Sequence, residues 1–157
     1  MITITAMKWA PEFAAGQVRD HRARWILNEV EWPYQVQLLD APAMKDVDIG
    51  GHPFGQVPVF QEDGRPTLFE SGAIVWDVAD RAGRLIPTDP GERSLTLSWV
   101  VAALNSIEPF LMNLAEAGFF MTDKAAGALR EAQASPVAHQ RLSALATALG
   151  SRAFLLG

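Results

Sequence analysis

The side chains best placed to do chemistry lie in two short segments, GQVPVF at residues 55–60 and ESGAI at residues 70–74. A proline directly ahead of a β-type run, as at Val57-Pro58, has two readings. It is an ordinary strand start, which accepts proline at its first residue. Alternatively it is a cis peptide, a form found at about 5–6% of X-Pro bonds, with the Val57 N–H and C=O left to pair with a peptide laid alongside as an extra strand. Ser71 stands where a helix cap belongs, immediately before Gly72-Ala73-Ile74. A helix N-terminus holds a carboxylate through its free N–H groups and partial positive charge, and Glu70 beside it can pair with an amine. The two together suit a ligand with both groups on one carbon. The plainer reading is a simple N-cap next to a solvated glutamate.

Composition narrows the chemistry. The 157 residues contain no cysteine, which excludes disulfides, thiolate zinc sites and a protein-borne thiol nucleophile. If a thiol reacts here, it arrives with a substrate. His21, His52 and His139 are far apart and match no metal-ligand spacing, so no metal is expected. A net charge of −5 gives no footprint for a phosphate backbone, and nucleic acid is not an expected partner. No apolar run approaches the roughly 18 residues of a membrane span, and MITITAMKW lacks the order of a signal peptide. The expectation is therefore a cytoplasmic protein with no membrane partner.

These segments need elements to position them. The chain has two textures: alternating β-type and helical segments over residues 1–84, and helical periodicity throughout residues 92–157. Residues 85–91, LIPTDPG, read as the linker between two domains. In the first, residues 2–9 alternate as a strand, and Ala23, Ile26, Leu27 and Val30 share a helix face that runs from near Gly16 to Val30. Pro33 ends that helix, and YQVQLL over residues 34–39 is a second strand, parallel to the first by the β-α-β rule. Residues 57–60 and 67–69 form two further strands about Asp63-Gly64, a hairpin turn signal, and a last helix begins at Ser71. This is the order of a thioredoxin-like α/β domain with a mixed four-stranded sheet. In the all-α second domain Leu97, Val101, Leu104, Ile107, Leu111 and Leu114 fall on one stripe of a long helix. A second helical stretch, residues 123–149, has Leu129, Leu142, Leu145 and Leu149 on its stripe, with a kink or break at Pro136. Trp9, Trp25, Trp76 and Trp99 read as core or interface aromatics, and Asp46, Asp48, Glu62 and Asp63 as solvated loop charges.

GQVPVF and LFESGAI at this separation, RARWILNE with Pro33-Tyr34 after it, and AALNSIEP on the long helix resemble the glutathione transferase family, in order and over nearly the whole chain. The resemblance implies glutathione as co-substrate, bound by Gln56, Val57, Pro58, Glu70 and Ser71, with Glu70 and Ser71 taking the γ-glutamyl end. It implies a second-substrate pocket at Trp99, Asn105, Ser106 and Phe110, a homodimer, and a role in detoxification. Two departures stand out. The loop at residues 10–20 contains no serine, threonine, tyrosine or cysteine, although many relatives place one there against the glutathione sulfur; the corresponding slot falls near Gln17 or Val18. The only tyrosine, Tyr34, begins the second strand. The second departure is the ending at FLLG, where relatives continue into a further helix, and the chain reads as C-terminally incomplete.

Thiol activation then falls to other donors. Lowering a thiol pKa of about 8.5 by one or two units takes roughly 1.4–2.7 kcal/mol. Main-chain amides near residues 16–18, at the expected helix start, are placed to lead. Gln17 assists through its amide and Arg19 through its charge; the alternative for Arg19 is a surface cation paired with Asp20 or Glu12. Two function classes follow. One is an enzyme that uses the glutathione thiolate on an electrophile, peroxide or disulfide. The other is a non-catalytic binding or assembly module of the same fold. The second substrate is not identified by the sequence.

Overall fold

The opening strand, β1 (Ile2–Met7), forms where the alternation predicts it, but its burial does not alternate: Ile2, Ile4, Thr5 and Ala6 are all buried. In this computed structural model, which describes residues 1–46 and 51–156, β1 is the second strand of a mixed sheet ordered β2-β1-β3-β4. β2 (Gln35–Leu39) runs parallel to β1, and β3 (Val59–Glu62) runs antiparallel to it with Ile4 opposite Phe60. β4 (Leu68–Phe69) closes the hairpin with β3. The turn is where Asp63-Gly64 predicts it, with Gly64 at φ 76° and the Arg65 N–H donating to Glu62 O at 3.0 Å. The fold class is the thioredoxin-like one read from the sequence, followed by an all-helical part.

Helix α1 (Asp20–Glu29) begins later than the sequence predicts. Residues 12–14 form one 3-10 turn, and Gly16 takes φ 82°, a left-handed conformation that interrupts any helix. Ala23, Ile26 and Leu27 are buried at their helical spacing. A short helix α2 (Ala41–Met44) follows β2, and α3 (Ser71–Ala82) ends at Gly83 in the left-handed conformation that glycine tolerates. Helices α1 and α3 pack together on the sheet, around Ile4, Ala23, Ile26, Leu27, Phe60, Ile74 and Val78. Burying each of these larger apolar side chains contributes about 1.5–3 kcal/mol.

Several loop expectations change. Glu62 is not a solvated charge: Arg81 donates to its Oε1 at 2.9 Å and approaches Oε2 at 2.7 Å. Hydrogen bonding to Arg81 holds the Glu62 carboxyl below its ordinary pKa. Asp63 pairs at the surface with the chain's amino terminus, and Asp48 lies outside the described residues. Trp9 and Trp25 are 72% and 52% exposed, so neither belongs to the core of this chain.

The chain divides into two units, Met1–Thr88 and Asp89–Gly157. In the second, α4 (Pro90–Ala102) starts inside the expected linker, because Asp89 caps it by accepting the Glu92 N–H and Pro90 suits a first turn that needs no donor. The helical path continues through a π-helical turn (Ala103–Ile107), α5 (Glu108–Ala115) and a second π-helical turn (Glu116–Phe120). Pro109 has no N–H to give the carbonyl four residues back, and the wider turn absorbs this: the Glu108 N–H reaches Ala103 O. By length and composition alone the run Pro90–Phe120 is long and apolar enough to cross a membrane, which differs from the sequence expectation. Helix α6 (Lys124–Leu149) passes unbroken through Pro136, where a kink or break is predicted. Asp123 caps it, accepting the N–H groups of Ala125 and Ala126 at 2.9 and 3.1 Å.

Candidate functional site

The residues with a chemical signature gather at the ends of β3 and α3. Val57-Pro58 is a cis peptide, as one of its two readings has it. Both residues are buried, and the Val59 N–H that follows donates to Thr5 Oγ1 at 2.8 Å. Thr5 thereby ties the approach to β3 onto β1 with a side chain where the ladder between the strands ends. Gln56, one residue earlier, is exposed.

Ser71 is the first residue of α3 rather than its cap, and the cap position belongs to Glu70, whose side chain makes no capping bond. The reason is the backbone of Glu70, at φ 68° and ψ 113°. A non-glycine residue there costs about 1–3 kcal/mol and persists only where its surroundings over-determine it. The consequence is a division of labour. Ser71 turns inward, 3% exposed, and its Oγ accepts from Arg22 Nη1 at 3.2 Å, while Glu70 stays exposed beside it. A helix N-terminus, a buried hydroxyl and a guanidinium thus meet at one point, an arrangement suited to a carboxylate.

Sequence reasoning missed Arg22, Thr5 and His52 as parts of this region. His52 is 2% exposed, and its ring lies 5.3 Å from that of Phe69, next to Glu70. Burial pushes its pKa below the ordinary value, against a smaller opposing effect of Glu70. The one available signal was its place at the head of the HPFGQVP run.

Gln17 and Arg19 lie in the turns that precede α1, not at its first residues; Gln17 is exposed and Arg19 half-buried. Of the amides expected to lead, at residues 16–18, that of Gln17 donates to Ala14 O at 3.0 Å; further on, the His21 and Arg22 N–H groups donate to Val18 O and Arg19 O. An anion already occupies the first turn of α1, since Asp20 is buried and lies 3.4 Å from Arg24 Nη1. Tyr34, by hydrogen bonding, and Asp20 raise the Arg24 pKa above its usual value. Among the described residues, no three histidine or carboxylate side chains group to hold a metal ion.

In the second unit Trp99 is a half-buried residue of α4, and Asn105 and Ser106 both lie in the first π-helical turn. Phe110 lies on α5 under the Arg141 guanidinium, 4.5 Å from the ring centroid, and lines a groove with Asn113, Arg130, Gln133 and Val137.

Residues 21–81 match the family described as "Glutathione S-transferase, N-terminal domain". Among solved structures, a glutathione transferase from Burkholderia graminis with two glutathione molecules bound per subunit aligns at TM-score 0.84 and 22% identity, over 99% of this chain and 65% of that one. The theta class glutathione S-transferase of Xanthomonas axonopodis pv. citri, with glutathione bound, aligns at 0.81 and 25% identity, over 99% and 73%. The nitrogen regulation fragment of the yeast prion protein Ure2p aligns at 0.77 and 18% identity, over 96% and 67%. The chain thus spans about two thirds of the length of these solved relatives. No curated protein matches it. With its sheet order and its matching residues 21–81, this chain carries a glutathione S-transferase N-terminal domain and has the glutathione transferase fold.

Proposed function

We propose that residues 1–84 bind glutathione, with the Val57 main chain pairing with the tripeptide next to Pro58, Gln56 beside it, and the γ-glutamyl end at Glu70 and Ser71. The observation that carries this reading is the inward Ser71 hydroxyl at the start of α3, met by Arg22, with Glu70 turned outward by its positive φ. The buried polar groups suit the α-carboxylate, and the exposed Glu70 suits the amine. The glutathione in the Burkholderia and Xanthomonas structures supports the choice of ligand. Calorimetric titration with glutathione tests it. Ser71→Ala is expected to weaken binding by about 0.5–1.5 kcal/mol net, and Glu70→Ala also to weaken it; unchanged affinity in both variants removes the assignment.

As an enzyme, the protein uses the bound thiolate on an electrophile, peroxide or disulfide, with Trp99, Asn105, Ser106 and Phe110 toward the second substrate. It acts in the cytoplasm as a homodimer. Because the Gln17 amide is engaged with Ala14 O, the main-chain amides of residues 16 and 18 lead the activation, and the side chains of Gln17 and Arg19 assist. Thiolate absorbance of bound glutathione in wild type, Gln17→Ala and Arg19→Ala tests this. A wild-type thiol pKa no lower than that of free glutathione favours the second reading, a non-catalytic module. That reading draws support from the likeness to a nitrogen regulation fragment.

A further inference from the structure

His52 heads a tight turn. The Gly55 N–H donates to His52 O at 3.0 Å, Pro53 holds the second position, and Gly55 takes φ 63°. Glycine suits this last place, since its φ is positive and a Cβ there would stand 3.1 Å from Met44 O and 3.3 Å from the Lys45 Cα, closer than ordinary contact. The His52 side chain closes the same turn a second time: its Nδ1 accepts the Phe54 N–H at 3.1 Å, two residues on, as an asparagine side chain does at the head of a turn. A main-chain N–H can only donate, so Nδ1 holds a lone pair and the ring is neutral, with its proton on Nε2. The ring packs beside Phe54 at 6.0 Å and Phe69 at 5.3 Å, which fixes its plane.

We infer that neutral His52 is a positioning residue for the glutathione edge: it locks the turn over residues 52–55 that delivers Gln56 and Val57, and protonation at Nδ1 releases the Phe54 amide and loosens that edge. The inference rests on the proposed role of Val57. The charged group that faces the ring is Glu70, at the head of α3, which favours the imidazolium; burial opposes it more strongly. Lys45, which follows α2, stands beside the turn, since a Cβ on Gly55 would lie 3.3 Å from its Cα and 3.5 Å from its Cγ. The direction in pH follows. The neutral ring prevails above a pKa that lies under the ordinary 6.5, so glutathione affinity is full at neutral pH and falls as the solution is acidified below that value. Asparagine offers an acceptor in the same place and does not titrate.

Glutathione titrations of wild type, His52→Ala and His52→Asn between pH 7.5 and 4.5, with the Phe54 amide followed by NMR, test this. At pH 7.5 the alanine variant is expected to bind about five- to tenfold more weakly and the asparagine variant within about twofold of wild type. On acidification the wild-type affinity declines as its Phe54 amide shifts, while the asparagine variant keeps more of its affinity. An asparagine variant as weak as the alanine one, or profiles for wild type and His52→Asn that superimpose over the whole range, overturns the inference alone. Absence of glutathione binding by wild type at pH 7.5 overturns the functional reading, and the inference with it.

Discussion

In the first unit Ile4, Ile26, Leu27, Phe60, Ile74 and Val78 lie at 1% exposure or less, whereas among the described residues of the second the buried ones are Ala117, Gly127 and Ala138, and Leu129 stands 64% exposed. Both units have apolar residues at regular spacing, so pattern alone does not explain the contrast. The first has two layers, a sheet and a pair of helices, and each covers the other's apolar face. In the second, two helical segments cover only the sides they turn toward each other, and Leu95, Leu97, Val101, Met112 and Leu142 remain 42–51% exposed. Periodicity creates a face, and only a second layer makes it a core.

Truncating one large apolar side chain in each unit sharpens this contrast most. Phe60→Ala is expected to cost about 3–5 kcal/mol in denaturant unfolding, and Leu142→Ala about 0.5 kcal/mol or less. An equal cost would mean that the second unit's face is covered in solution. Among the described glycines of that unit the least room for a side chain is at Gly127, where a Cβ would lie 3.0 Å from Ala117 O. Gly127→Val is therefore expected to destabilise by about 1–3 kcal/mol, read as loss of helical circular dichroism at lower denaturant. Removing the cap of α6 with Asp123→Ala is expected to cost about 1 kcal/mol, since two N–H groups lose their acceptor.

The smallest effect lies in the first unit. Glu62 gains Arg81 on folding, so its folded pKa lies below the ordinary 4.5. Its contribution is present above that value and lost as pH falls through the folded one. Glu62→Gln is expected to cost about 0.5–1 kcal/mol at pH 7 and nothing once both forms are fully protonated; a difference that persists unchanged at pH 2 would place the effect outside the ion pair.

The fold class was legible because its signals are local: alternation in β1, Ala23, Ile26 and Leu27 on one face, and Asp63-Gly64 at the hairpin. The helix starts were less so. The late start of α1 depends on the left-handed Gly16, and nothing in the spacing of apolar residues reports a φ angle. The same holds for Glu70, whose positive φ moves the cap by one residue and turns Ser71 inward. Within the site, Val57-Pro58 and Glu70-Ser71 were readable as a joint motif. Arg22 and Thr5 were not, because their partners lie 49 and 54 residues away in sequence.

The π-helical turns of the second unit have a geometric consequence of their own. Each inserts one residue beyond α-helical winding, which rotates everything downstream by about 100° about the axis. The six apolar residues from Leu97 to Leu114 therefore do not share a meridian: Leu97 and Val101 are 42% and 44% exposed, while Leu111 and Leu114 are half-buried. The surface of this rod is written in a rotational reading frame that shifts at Ala103–Ile107 and again at Glu116–Phe120. Deleting one residue inside the first turn would restore the frame and swing Phe110 and Asn113 away from Arg130 and Arg141.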